Sequence, residues 1–395
     1  MTLIASWFLT TIAVVLAVVS ATFAIEVAAS LFFRKRKTAP KNEHRARIAV
    51  LVPAHNEAAG IAKTLNDIKA QLRPGDRLLV VADNCFDDTA SIALAMGAEV
   101  SVRSDAERIG KGYALDWGLR HLEQDVPDIV ILVDADCRLA PFAIDRLASA
   151  CQRSGRPVQA LYLMTAPSGS RVNHQVAEFA WRVKNLARPL GLMALGLPCQ
   201  LMGTGMAFPW TIIRSVDLSS GHIVEDLKLG LDLARAGYPP MFCPRARVTS
   251  TFPSFAEGAK RQRQRWEHGQ LALVCKTAIP LLREAILKRN LGLLALVVDL
   301  LVPPLSLFVL VLTATILAGA LLALFGQPLL PLIVGTGCMV AFGLSATLAW
   351  IAYGRSVLPF RSIALIPSYL LTKFGHYASA LLNGLTSEWV RTDRS

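Results

Sequence analysis

The seven cysteines (positions 85, 137, 151, 199, 243, 275 and 338) are odd in number and include no CxxC pair. Neither a disulfide framework nor a zinc site is suggested, and free thiols are the expected state. No GxGxxG or GxxxxGK[ST] run occurs, so the dinucleotide-binding and P-loop readings lack their fingerprint. There is no low-complexity tract and no internal repeat at the ~20–50-residue period of a solenoid. Charge is scarce as well. Of 395 residues 18% are charged and 53% are hydrophobic, with a mean hydropathy of +0.44, which excludes an ordinary soluble enzyme.

The apolar residues are unevenly placed. Residues 3–33 contain one ionisable group, Glu26. At ~1.5 Å per residue they can span a hydrocarbon core of roughly 30 Å. The basic run Arg34-Lys35-Arg36-Lys37 follows this segment and does not precede it, and the apolar stretch is too long for a signal-peptide core. An anchor is expected over a cleaved signal. In the next block, 291–325, Asp299 and Pro303-Pro304 suggest a kinked or interfacial first part and a span over 301–325. A third apolar run covers 329–353. Lys288, Arg289, Arg355 and Arg361 then fall on the same side as Arg34–Lys37, which the positive-inside rule makes cytoplasmic. Lys373 and His376 sit in the middle of 362–386, and charge at a bilayer centre is costly, so that segment is expected in the interface. The formal charge of +12 fits a protein that faces a membrane or handles anions.

Between the apolar ends the pattern becomes short β-rich runs alternating with helical stretches. ARIAVLVPAHNE, RLLVVADNC, AEVSVRS and DIVILVDADC read as strands, with helices between them. Continuous apolar strands alternating with helices imply an α/β domain with a mainly parallel sheet covered on both faces. Ligands of such sheets bind outside the carboxyl ends of the strands. The polar candidates there are His55-Asn56-Glu57, Asp83-Asn84 and Asp134-Ala135-Asp136. Two carboxylates where a buried strand gives out suit Mg²⁺ or Mn²⁺, which favour hard oxygen ligands. Plain surface acids are the alternative at that point. In KRQRQRWEH (260–268), Gln262, Arg265 and Trp266 stand at i, i+3 and i+4 and share one helix face. Alone, the run reads as a basic helix on a membrane surface. A non-catalytic lipid or nucleic-acid binder acting through these cations is a separate reading. The expected division is 1–38 anchor and basic flank, 45–255 α/β domain, 256–290 interfacial helix, 291–355 two spans, and 356–395 interfacial helix and tail.

VPAHNE, ADNCFDDT, IGKGYAL, VDAD, GTGM, VEDLKLGLDLARAGY and QRQRW occur in that order. The series resembles family 2 membrane glycosyltransferases, the group of cellulose, chitin, hyaluronan and poly-N-acetylglucosamine synthases, over roughly residues 45–275. The terminal EWVRTDR looks like a tail of the poly-N-acetylglucosamine synthase-like branch. The resemblance implies a cytoplasmic GT-A (Rossmann-like) domain flanked by transmembrane helices in a multi-pass inner-membrane protein. It further implies a UDP-sugar donor, Mg²⁺ or Mn²⁺, and inverting transfer to a β-linked poly- or oligosaccharide end. By the same resemblance, Pro53 and Ala54 (backbone) and Glu57 bind uridine, and Asp83 accepts from uracil or ribose. Ala82 stands where the family's DDGS-type stretch has its first acid, which leaves Asp83 alone in that task. Lys111 meets phosphate or base, Asp136 ligates the ion, and Asp134 meets ribose or metal. Asp226 is the implied base with Glu225 beside it. Gln262 and Arg265 serve the donor, and Gly203, Thr204, Gly205 and Trp266 the acceptor. The implied partners are a saccharide or lipid-linked acceptor and membrane lipids, with no nucleic acid. Two firm C-terminal spans are few for a translocation channel, which leaves an export subunit or a homo-oligomer open. The nearest alternative is a glycolipid synthase of the ceramide- or diacylglycerol-glucosylating kind.

Overall fold

The computed structural model describes residues 2–32, 45–167, 172–219, 224–253 and 256–383. The Arg34–Lys37 flank and the EWVRTDR tail lie outside the described residues. The chain forms two compact units: Met1–Arg34, Ser168–Gly196 and Val297–Thr386 make one, and Lys35–Pro167, Leu197–Leu296 and Ser387–Ser395 the other.

The second unit is built on an eight-stranded sheet: β1 (Ile48–Ala54), β2 (Arg77–Asp83), β3 (Glu99–Arg103), β4 (Ile129–Leu132), β5 (Arg138–Leu139), β6 (Val158–Thr165), β7 (Met206–Pro209) and β8 (Met241–Thr251). Their order is β3-β2-β1-β4-β7-β6-β8-β5. The first four pair in parallel. The apolar runs of β1, β2 and β4 are buried, as strands covered on both faces must be. Leu115, Leu119 and Leu122 of the helix Lys111–Leu122 pack into the same core as Leu51, Leu79 and Val81.

The sheet is mainly parallel, as expected, and also mixed: β6 pairs in parallel with β8, while β7 runs antiparallel to both β4 and β6, and β5 antiparallel to β8. Apolar periodicity reports burial and carries no strand direction. β7 is also only four residues long and follows a loop. The consequence for function lies between β1 and β4. The chain leaves β1 towards β2 on one side, while β4 pairs on the other. The connections diverge there and open a crevice at the carboxyl ends, the usual ligand position in open α/β sheets.

The first unit is helical and includes the segment Ser168–Gly196, which the sequence alone places within 45–255. Among the described residues, three helices are long and apolar enough to cross a membrane by length and composition: Ile4–Leu31, Leu305–Leu324 and Leu330–Gly354. Phe23 stacks on Phe342 at 5.4 Å, and Phe308 meets the same ring edge-on at 5.3 Å. The Pro303-Pro304 break separates Leu291–Leu300 from Leu305–Leu324. Ile366–Asn383 is a further helix, outside the three membrane-length ones.

Asp299 is buried, and so is its partner. Arg188 Nε donates to Glu26 Oε2 at 2.6 Å, and its Nη2 donates to Asp299 Oδ1 at 2.5 Å and to the Asp299 carbonyl at 2.7 Å. All three residues are under 9% exposed. Removing the guanidinium strands two carboxylates away from water, a change worth about 3–5 kcal/mol. Arg188→Met is therefore expected to lower the thermal unfolding midpoint in detergent sharply. Adding Glu26→Gln and Asp299→Asn to it should recover most of the loss.

Candidate active site

The loops after β1 and β2 lock together at the crevice. Asn56 takes the left-handed backbone (φ 53), which asparagine tolerates, and its Oδ1 accepts the Phe86 N–H at 2.7 Å. His55 Nδ1 lies 2.7 Å from the Asp83 carbonyl, and the Glu57 N–H donates to Thr89 Oγ1 at 2.8 Å. Asp87 accepts the N–H groups of Thr89 and Ala58, each at 3.1 Å, and so ties the start of the helix Thr89–Ala95 to the loop after β1. These bonds hold Pro53, Ala54 and Glu57 along the crevice wall, where Asp83, Lys111, Asp134 and Asp136 also stand.

Asp83 closes β2 opposite Arg103, its register partner at the end of β3. Arg103 Nη1 donates to Asp83 Oδ1 at 2.6 Å, and Asn84 Nδ2 donates to the same oxygen at 3.2 Å. Burial raises the Asp83 carboxyl above its ordinary range, against the lowering pull of Arg103. Arg103 is a site residue that sequence reasoning missed. Its signal was a buried-strand register that puts a cation beside an acid, which needs the pairing of β2 with β3.

Lys111 opens its helix and reaches across the crevice. Its Nζ lies 2.5 Å from Asp134 Oδ1 and 3.8 Å from Glu225 Oε1, and donates to the Gly203 carbonyl at 2.7 Å. Burial alone would lower its pKa, but Asp134, Glu225 and Asp226 outweigh that and hold it above the ordinary lysine value. Asp134, Asp136 and Cys137 present ligand atoms within 4.8 Å of one another. Burial pushes the Cys137 thiol well up, so it stays protonated and leaves an all-carboxylate pair. That donor set fits a hard divalent cation.

The GTGM loop forms the opposite wall. Thr204 is fully buried, and its Oγ1 accepts the Asp134 N–H at 3.0 Å. Gly203 has φ 89, and a Cβ on it would lie 3.4 Å from Asp226 Oδ2. Gly205 has φ 64, and a Cβ there would meet Ala160 Cβ and Val248 Cγ2 at 2.8 Å. Both positions need glycine for backbone conformation, and Gly205 also for room. Glu225 and Asp226 start the helix Glu225–Arg235, where free N–H groups favour acids. Burial first, and then Asp226, push the Glu225 carboxyl up to about 7, with Lys111 opposing.

Gln262, Arg265 and Trp266 lie on the helix Ala256–Leu287. Gln262 is buried, with its Oε1 unbonded among the described residues. Arg265 is drawn below its ordinary pKa by burial, with Glu225 as the opposing charge, so the helix brings this guanidinium towards the Glu225–Asp226 pair. Trp266 is half-buried. None of the three lines the crevice beside Asp83 and Asp134. The side chains of Lys260, Arg261 and Arg263 lie outside the described residues.

The family model for "Glycosyltransferase like family 2" matches residues 44–269. The probable glycosyltransferase YdaM of Bacillus subtilis is 26% identical over 245 residues, which is 58% of this chain and 56% of that protein. The 4,4'-diaponeurosporenoate glycosyltransferase of Staphylococcus aureus is 30% identical over 133 residues, 32% of this chain and 34% of that protein. The chain thus spans about half or less of the length of these two curated relatives. Among solved structures, the mannosyltransferase PcManGT of Pyrobaculum calidifontis, in complex with GDP-Man and Mn²⁺, aligns with a TM-score of 0.52 at 19% identity. That alignment covers 85% of this chain and 95% of the other, a likeness of fold. With the match running from the first strand through the QxxRW helix, the chain belongs to the glycosyltransferase-like family 2.

Proposed function

We propose that the chain transfers a sugar from a UDP-sugar to the growing end of a poly- or oligosaccharide, with inversion and a β linkage. The observation that carries this reading is Lys111. One cation joins the strand-end carboxylate Asp134 to the helix-start carboxylate Glu225, so donor-side and acceptor-side groups converge within a few ångströms.

The uracil preference rests on which carboxylate oxygen is engaged. Arg103 and Asn84 occupy Asp83 Oδ1, and Oδ2 accepts nothing from a described residue. One open oxygen matches the single imide N–H of uracil, whereas the parallel N1–H and N2–H of guanine pair with both oxygens of a carboxylate, one of which is already engaged here. Asp134 and Asp136 would hold the divalent ion, whose contribution when bound is to offset charge on the departing diphosphate. Arg265 supplies a planar guanidinium for the same phosphates. Asp226 takes the proton of the attacking hydroxyl, and Glu225 raises the proton affinity of the pair. The domain is cytoplasmic in this reading, the three long helices cross the inner membrane, and the helix carrying Trp266 lies near the acceptor.

Burial and the neighbouring Asp226 push the Glu225 carboxyl up to about 7, beside the base. A base must be deprotonated, so turnover is expected to rise with pH through about 7 and to level off above it. Glu225→Gln should move that midpoint down, and kcat profiles from about pH 5.5 to about 8.5 check this.

A UDP-release screen over glucose, N-acetylglucosamine, galactose and glucuronate donors, with GDP-mannose as control, tests the donor. One UDP-sugar should dominate; GDP-mannose turnover at an equal rate overturns the uracil assignment. A glycolipid product is the second reading, favoured by only three membrane-length helices among the described residues, few for a polysaccharide channel. Water-soluble ladders of labelled product support the first, and a single lipid-extractable product the second.

A further inference from the structure

We infer that Gln159, fully buried on β6, is a positioning residue that sets the donor lysine, the first metal carboxylate and the base through one loop. The inference rests on the donor site proposed above.

β6 reads VQALYLMT, and Gln159 is fully buried near its start, between Val158 and the buried Ala160 and Leu161. A buried amide is costly unless its bonds are made. Here they are made to the backbone of the opposite loop. Gln159 Oε1 accepts the Met202 N–H at 2.8 Å, and Nε2 donates to the Thr204 carbonyl at 2.9 Å and to the Ala160 carbonyl at 2.8 Å. The side chain thus grips the loop on both sides of Gly203. It takes up backbone groups that have left the ladder, since β7 begins only at Met206. Beyond the loop, Gly205 is tied to both flanking strands, its N–H to Leu132 O at 2.9 Å and its carbonyl to Ala160 N–H at 2.8 Å.

What the loop holds gives the clamp its consequence. The Gly203 carbonyl receives Lys111 Nζ, Thr204 Oγ1 receives the Asp134 N–H, and the Gly203 Cα faces Asp226. Three groups of the site thus take their places from a segment whose conformation one amide specifies. Gln159 touches none of them, so it acts through Met202, Gly203 and Thr204. A misplacement of about 1 Å in such a frame can cost about 100-fold.

The test uses the full-length protein in detergent. Gln159→Met keeps the volume and removes every bond; Gln159→Glu keeps an acceptor for Met202. Folded fraction is read by near-ultraviolet circular dichroism, Mn²⁺-dependent UDP affinity by calorimetry, and donor kcat/KM by UDP release. The expected result for Gln159→Met is a native spectrum at assay temperature, UDP affinity weakened about tenfold, and kcat/KM reduced about 100-fold, with Gln159→Glu between it and wild type. A double-mutant cycle separates positioning from mere stability. In a Lys111→Ala background the Gln159→Met penalty should shrink to less than half of its logarithm, because both changes break the same connection. Additive penalties, or a loss that simply follows the unfolded fraction, overturn the proposal. If wild type binds no UDP, the donor-site reading falls and this role with it. If wild type binds and Gln159→Met equals it, only the role of Gln159 falls.

Discussion

Asp226→Asn is expected to reduce kcat by about 10³-fold, roughly 4 kcal/mol of transition-state stabilisation, while leaving UDP affinity within about threefold. The amide keeps the shape of the first helical turn and the contact with Gly203, so the backbone frame survives. It cannot accept the proton of an attacking hydroxyl. Because Asp226 stands across the GTGM loop from the donor carboxylates, its loss should appear in turnover and spare nucleotide binding. Glu225→Gln should cost less, since it alters the proton affinity of the pair and leaves Asp226 to act. The check is steady-state UDP release beside calorimetric UDP titration of the same preparations. Full turnover in Asp226→Asn would remove the base from the account.

Asp136→Asn is the second large effect, and it should act on the other half of the reaction. Asp134 is already engaged by Lys111, by its backbone bond to Thr204 and by its place at the strand end. Asp136 is the direct ligand to the ion in the proposed reading. Loss of one of two hard ligands should raise the Mn²⁺ concentration for half-maximal activity by about 100-fold and lower kcat by several kcal/mol in effect. Unlike Asp226→Asn, this variant should lose UDP affinity, because the ion joins diphosphate to protein. Near-normal turnover at an unchanged Mn²⁺ requirement would place the ion elsewhere.

Much of the site could be read from the sequence because chemistry and local periodicity coincide there. The apolar runs IAVLV, LLVV and IVIL end in His55-Asn56-Glu57, Asp83-Asn84 and Asp134–Asp136, and the fold brings Pro53, Ala54, Glu57, Asp83, Lys111, Asp134 and Asp136 to one crevice. The helical spacing of Gln262, Arg265 and Trp266 was legible for the same reason. The rest depends on pairings between distant segments. The direction of β7 leaves no periodic trace in four residues. Arg103 reaches Asp83 only because β3 aligns with β2 in register. Gln159 looks like a stray polar residue until the 202–204 loop is laid against it. The partners of Arg188, Glu26 and Asp299, stand 162 and 111 residues away. Nothing local in the sequence announces such an ion cluster.

The central claim is that the β1–β4 crevice holds a uridine diphosphate on a divalent ion carried by Asp134 and Asp136. Calorimetric titration of UDP into the wild-type protein, with Mn²⁺ and with chelator, tests it most directly. The account predicts UDP binding that weakens at least about tenfold when Mn²⁺ is removed, and an Asp136→Asn protein whose weak binding no longer responds to the ion. UDP affinity that is equal with and without Mn²⁺, or equal in wild type and Asp136→Asn, would contradict it.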